Sequence, residues 1–160
     1  MKKLGWIILM IVGCFFCQQP ALAASPKKVA VYVEGNISNS QKSMINSAVM
    51  SRISSSKDYV CFERNENFLK ALTKEEDYQT GGDVPDREIR EVGMKAGADF
   101  VIIIDVRTSY DTMYMAAKLI ELQSGKVIKT VDGTREGNDM KTIKALASNC
   151  TYRLISAKSK

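Results

Sequence analysis

The stretch that decides the fold is Gly97-Ala-Asp-Phe-Val-Ile-Ile-Ile-Asp105, "GADFVIIID". A glycine is followed by an unbroken apolar run from Phe100 to Ile104 and then by Asp105. A run with no polar alternation is a strand buried on both faces, the pattern of a central strand in a helix-covered sheet. Sites in open α/β sheets collect at the carboxyl ends of such strands, so Asp105 is the first side chain to weigh as a working carboxylate.

Upstream, "KVAVYV" (28–33) alternates β-branched residues and stops at Glu34-Gly35-Asn36, which predicts a first buried strand. Ser38 followed three residues later by Gln41 forms a capping box. The helix it opens carries Met44, Ile45, Ala48, Val49 and Ile53 at helical spacing and ends at Ser54-Ser55-Ser56. Tyr59 to Arg64 reads as a second strand, and Asn65 as the cap of a helix bearing Phe68, Leu69 and Leu72. The polar middle of the chain, "TKEEDYQTGGDVPD", is the expected mobile loop. Asp83 or Asp86 can cap the next helix, in which Ile89, Val92, Gly93 and Ala96 face the core and Gly97 supplies a left-handed stop. After the third strand, Thr112 to Leu122 and Val127 to Val131 form a hairpin through Gln123-Ser124-Gly125-Lys126. Asp139 to about Ile155 closes the chain as an amphipathic helix with Ile143, Leu146, Ala147, Cys150 and Leu154 on one stripe.

The resulting order is β-α-β-α-α-β-β-β-α. The early crossovers demand parallel neighbours and the hairpin demands antiparallel ones, so the sheet is mixed, with helices on both faces. The expected strand order is 2-1-3-4-5, with the third strand in the middle, where its lack of alternation belongs. This is a three-layer α/β/α sandwich with a five-stranded mixed sheet.

The chain has 160 residues, 45% of them hydrophobic and 26% charged, an ordinary composition for one globular domain. Its formal charge of +5 includes Lys2 and Lys3; the rest of the chain has 21 basic residues against 18 acidic ones. Those basic residues are scattered, so no nucleic-acid partner is expected. The chain contains no histidine, which removes Ser-His-Asp and Cys-His catalysis, histidine zinc sites and the commonest general base.

The first residues, "MKKLGWIILMIVGCFFCQQPALAAS", have the form of an export signal: two lysines, an apolar stretch to about Cys17, then Ala21-Leu22-Ala23 as a cleavage signal. Cleavage after Ala23 or Ala24 divides the chain into a signal peptide, 1–24, and a single domain, 25–160, exported to the periplasm. The apolar stretch is shorter than the roughly 20 residues that a membrane span requires. A second reading uses Ile11-Val12-Gly13-Cys14 as a lipobox, with Cys14 lipidated and the domain held on the outer membrane facing the periplasm. Membrane attachment is expected only in that case. Cys61 and Cys150 remain after processing and form either one bridge or two free thiols. In strand order 2-1-3-4-5 Cys61 lies on the edge strand and the last helix lies under the hairpin, which predicts two buried free thiols.

The remaining chemistry is sparse. Asp105 has Arg107 two residues on, on the same side of a strand, and is expected to be a strand-end carboxylate, solvated or paired to Arg107, marking where the core ends. Ser124-Gly125-Lys126 is a hairpin turn and not a phosphate loop. Met113 and Met115 share one side of a strand, as core residues in preference to a Cu(I) site. Glu75-Glu76-Asp77 lacks Ca²⁺-loop spacing. No catalytic, cofactor-binding or metal-ligating set is expected, and no cofactor. Tyr78, Tyr110 and Tyr114 sit near loops or on a partly exposed strand, and tyrosine is enriched at contact surfaces, so they are the expected interaction surface.

Taken together, "FERNENFLKAL", "GMKAGADFVIIIDV" and "LIELQSGKVIKT" resemble the periplasmic domain shared by the curli-secretion protein CsgG, the penicillin-binding-protein activator LpoB and the N-terminal domain of TolB. The matching features are Glu63-Arg64 before a helix, Gly97-Ala98-Asp99 before an apolar strand, and Leu119, Gly125, Lys126 and Val127 in a hairpin. The resemblance runs from about Val29 to Val131 and implies an anticodon-binding-domain-like sandwich used as a non-enzymatic module at the cell envelope. The chain has no room for the membrane-spanning hairpins of a secretion channel and no long Pro-rich linker. The expected function is therefore an exported protein-interaction module with an envelope protein as partner. The alternative is an exported small-ligand-binding protein or enzyme using the Asp105 end of the central strand. Its mark would be a concave pocket in which Asp105 meets another carboxylate, a lysine or a tyrosine.

Overall fold

A computed structural model describes residues 25–62, 70, 85–137 and 139–156. In chain order the elements are β1 (Lys27–Gly35), α1 (Asn39–Ser54), β2 (Tyr59–Cys61), α2 (Asp86–Ala96), β3 (Phe100–Ser109), β4 (Thr112–Glu121), β5 (Val127–Glu136) and α3 (Met140–Ile155). The strands form one sheet in the order β2-β1-β3-β4-β5, as the sequence predicts. β1 pairs in parallel with β2 and β3, whereas β3, β4 and β5 are successively antiparallel.

The side chains of each strand divide by parity. Val29, Val31 and Val33 of β1, with Phe100, Ile102, Ile104 and Val106 of β3, point to the side that α1 and α3 cover, and Met113, Met115, Ala117 and Leu119 of β4 join them. Ala30, Tyr32, Val101, Ile103 and Ile120 point to the opposite side, where Ile89 of α2 packs. Because β3 has apolar residues on both sides, its first half shows no alternation, which is the observation that placed it in the centre.

Local signals act as read. The Ser38 hydroxyl accepts from the Gln41 backbone N–H while the Gln41 side chain accepts from Ser38 N–H, a complete capping box. Asp139 caps α3 by accepting from Lys141 and Thr142 N–H. Gly97 stops α2 at φ 91°, in the left-handed region. The next two residues join that stop to the sheet: Ala98 is buried, and the Asp99 carboxylate accepts from Lys28 N–H at 2.8 Å. The Gly-Ala-Asp motif thus ends a helix and aligns β1 with β3 in three residues.

Some expectations require correction. α2 starts after Pro85, which makes no side-chain cap bond; Asp86 is the first helical residue, and its carboxylate accepts from Lys118 Nζ of β4 at 2.7 Å. It is a tie between layers and not a cap. β2 ends at Cys61 and not at Arg64, and β5 runs to Glu136 and not to Val131. The core does not end at Asp105: Val106 is fully buried and β3 continues to Ser109. The expected helix at Asn65, with Phe68, Leu69 and Leu72, and the Asp83 cap lie outside the described residues, as do Glu63 and Arg64.

Cys61 and Cys150 are both free. Cys150, on the sheet-facing side of α3, is buried, and burial pushes its thiol up. Cys61 is only half-buried, contrary to expectation, with its thiol donating to the Met50 carbonyl at 3.1 Å.

Candidate functional site

Among the described residues, the two faces of the sheet are not equally covered. On the side of α1 and α3, apolar side chains are buried from β1 across to Val131 of β5. On the other side, α2 covers the end of the sheet near Phe100, and the opposite end presents polar, aromatic and small side chains. Cross-strand registers define two rows there: Glu34, Asp105, Ala116 and Asp132 in one, Arg107, Tyr114 and Thr134 in the next. Ala116, Tyr114, Arg107, Asp132 and Thr134 are all exposed.

Asp105 lies within this surface, in the middle of β3. Its carboxylate is held by Arg107, with Nε at 3.2 Å and Nη2 at 3.1 Å, so the predicted pair forms although the predicted strand end does not. Two cavities meet at Asp105, Arg107 and Tyr114. The larger, of about 790 Å³, is an open groove that reaches Gly35, Asn36, Thr108 and Ser109. The smaller, of about 190 Å³, lies over Ala116 and Gly133 and is bordered by Asp132 and Thr134. The rim is rigid. Gly35 has φ 119°, and a Cβ there would meet the Val106 carbonyl oxygen at 1.9 Å, so only glycine permits this approach of β1 to β3. Beside it, Asn36 Oδ1 accepts from Thr108 N–H at 3.2 Å.

Beyond this surface, β3 and β4 are joined by a two-residue turn, Tyr110-Asp111. Such a turn needs left-handed backbone at its first position, where glycine or asparagine is the usual occupant. Here a tyrosine adopts φ 51°, with its side chain 100% exposed. The conformation costs about 1–2 kcal/mol in a residue with a Cβ, and no buried contact offsets it. Tyr114, 48% exposed, stands four residues away on the uncovered side of β4. Two of the three expected interface tyrosines therefore share one end of the molecule; Tyr78 lies outside the described residues.

The other sequence features resolve simply. Met113 and Met115 are buried core, and Ser124-Gly125-Lys126 is a turn closed by Gly125 N–H donating to Glu121 C=O at 2.8 Å. Among the described residues no group of His, Cys, Asp or Glu could hold a metal ion, and no helix is long and apolar enough to cross a membrane. Ala23, Ala24 and Cys14, and the Glu75-Glu76-Asp77 run, lie outside the described residues. Reading the sequence missed Ala116 and Asp132. The signal was the alternation of "TMYMAA" (112–117), in which Met113, Met115 and Ala117 are core and Thr112, Tyr114 and Ala116 form a second, more exposed face.

No family model and no curated protein matches the sequence. Solved structures do share the fold. The LpoB C-terminal domain from Salmonella enterica is similar with a TM-score of 0.50 at 11% identity, over 69% of this chain and 82% of that one. A PelC dodecamer from Paraburkholderia phytofirmans gives 0.55 at 16% identity, over 87% of this chain and 94% of that one. TolB from Acinetobacter baumannii gives 0.50 at 12% identity, over 82% of this chain but 28% of that one. Two of the three names implied by the motifs in "GMKAGADFVIIIDV" and "LIELQSGKVIKT", LpoB and TolB, are thus borne by proteins with the fold of this chain.

Proposed function

We propose that the protein is an exported, non-enzymatic interaction module of the bacterial cell envelope that acts by binding another protein through the end of the sheet bearing Tyr110 and Tyr114. The observation that carries this reading is Tyr110. A fully exposed aromatic held in a left-handed turn contributes nothing to the core and costs conformational energy, and local strain of this kind concentrates at functional positions. Tyr114 and the open groove beside it extend the surface, and tyrosine is a characteristic anchor of protein interfaces. The export signal read at 1–24, and the fold shared with the LpoB C-terminal domain and with TolB, support an envelope location. Cleavage after Ala23 or Ala24 gives a periplasmic protein, while lipidation at Cys14 gives an outer-membrane lipoprotein; intact mass separates the two.

The test is affinity capture from an envelope extract with the wild-type protein and with a Tyr110→Asn/Tyr114→Thr variant. The expected result is one specific protein recovered by the wild type and reduced about tenfold or more by the variant, the scale of losing interface anchors. Equal recovery by both would remove the proposal. Because the PelC relative is a dodecamer, the same capture with two differently tagged copies also reports self-association.

One observation favours a second reading, small-ligand binding. In the smaller cavity Asp105 is joined by Asp132 and Tyr114, which meets the mark set for that alternative. Against it, both cavities are open, Asp105 is already paired to Arg107, and small-ligand sites are enclosed. A metabolite retained in native mass spectrometry and lost in Asp105→Ala would favour it.

A further inference from the structure

The smaller cavity has a chemistry of its own. Ala116 forms its floor, with no side chain beyond Cβ, and the neighbouring strands place Asp105 and Asp132 on either side of it. Two strand spacings put the backbones of these aspartates about 10 Å apart, leaving between them a gap the width of one side chain. The two carboxylates are not equivalent. Asp105 is neutralised by Arg107, whereas among the described residues no basic side chain lies within ion-pair distance of the Asp132 carboxylate; Arg153 of α3 donates to the Asp132 backbone carbonyl instead, at 2.7 Å. The lining therefore has two negative charges and one positive one, on a chain whose formal charge is +5. The exposed ring of Tyr114 borders the gap on the Arg107 side, and Thr134 borders it near Asp132.

From this arrangement we infer that the bay over Ala116 receives an arginine side chain projected by the partner protein, its guanidinium paired to Asp132 and its stem lying on Ala116 beside the Tyr114 ring. The inference rests on the proposed protein-binding function and names the chemistry of the partner's contact. Arginine fits better than lysine because its planar head can pair with a carboxylate through two N–H groups and also lie against an aromatic ring. An acidic side chain would meet Asp132 unpaired, and a neutral one would leave that carboxylate without a partner.

The probe is N-acetyl-arginine amide, titrated into ¹⁵N-labelled protein and followed by amide chemical shifts, with the norleucine and glutamate analogues alongside. Shifts are expected for Ala116, Asp132 and Thr134 with the arginine compound, with affinity at least about tenfold weaker for norleucine. Asp132→Asn and Ala116→Phe should each abolish those shifts while leaving the remaining spectrum in place, the first by removing the charge and the second by filling the bay. Equal shifts from all three compounds, or shifts confined to other residues, would overturn the inference. So would a response unchanged in Asp132→Asn. The source of the arginine is tested by capture: an envelope protein recovered by the wild type should be recovered several-fold less by Asp132→Asn. Undiminished recovery overturns the inference but leaves the Tyr110 and Tyr114 reading standing, since that reading fails only if those tyrosines make no difference.

Discussion

The two faces of the sheet share the same strands and differ in what packs on them among the described residues. Facing α1 and α3, every second residue of β3 from Phe100 to Val106 is buried and apolar. Facing the other way, Val101 and Ile103 are buried while Asp105 and Arg107, two and four residues on, are polar and progressively exposed. The change falls where α2 stops covering the sheet, in the region of its Asp86–Lys118 tie to β4. One face is thus packed from β1 across to Val131 of β5; among the described residues the other is released from such packing halfway, and that half bears the strained turn, Tyr110, Tyr114 and the open groove, while the exposed Tyr152 lies on α3.

Substitutions sharpen this contrast. Ile104→Ala, on the fully covered face, should cost about 2–5 kcal/mol by leaving a cavity, whereas Ala116→Ser on the uncovered half should stay within about 0.5 kcal/mol. Denaturant midpoints measure both, and similar losses would mean that the two faces are packed alike. Gly35→Ala should follow, at about 2–3 kcal/mol, because the new methyl group would sit on the Val106 carbonyl in a backbone conformation that alanine avoids.

The turn breaks the usual relation between stability and function. Tyr110→Asn should stabilise the fold by about 0.5–1 kcal/mol, since asparagine tolerates the left-handed region, while partner recovery falls. A variant that loses both would mark Tyr110 as structural. The smallest effect concerns Asp139, whose carboxyl the Thr142 hydroxyl and backbone N–H, with Lys141 N–H, hold below the usual range. A depressed carboxyl contributes stability that is complete above its unfolded pKa and lost as pH falls through its folded value. Asp139→Ala should therefore lower the melting temperature slightly at neutral pH and leave it unchanged once the carboxyl is protonated in the wild type.

What the sequence disclosed depended on whether burial left a pattern. The capping box at Ser38 and Gln41 and the stop at Gly97 are local and chemically specific and mark the helix ends, while the two-sided apolar run of β3, with the crossovers and the hairpin, points to the strand order. β3 and β5 read as too short because the apolar run ends while the ladder continues: beyond Ile104 one face of β3 is polar, and beyond Val131 no residue of β5 is buried. Asp105 thus looked terminal, though the buried Val106 restores the alternation one residue later. Asp86 looked like a cap because nothing in the sequence shows that Lys118 of β4 comes beside it. The bay over Ala116 was invisible for a similar cause: Asp105, Ala116 and Asp132 are neighbours only through the registers of three strands.

The most direct measurement places a photo-crosslinking residue, in living cells, at Tyr114 on the uncovered half and, separately, at the exposed Ser47 of α1. The prediction is a discrete adduct with an envelope protein from position 114 and none from position 47. Adducts from position 47 alone would contradict the claim that the released half of the sheet is the interaction surface.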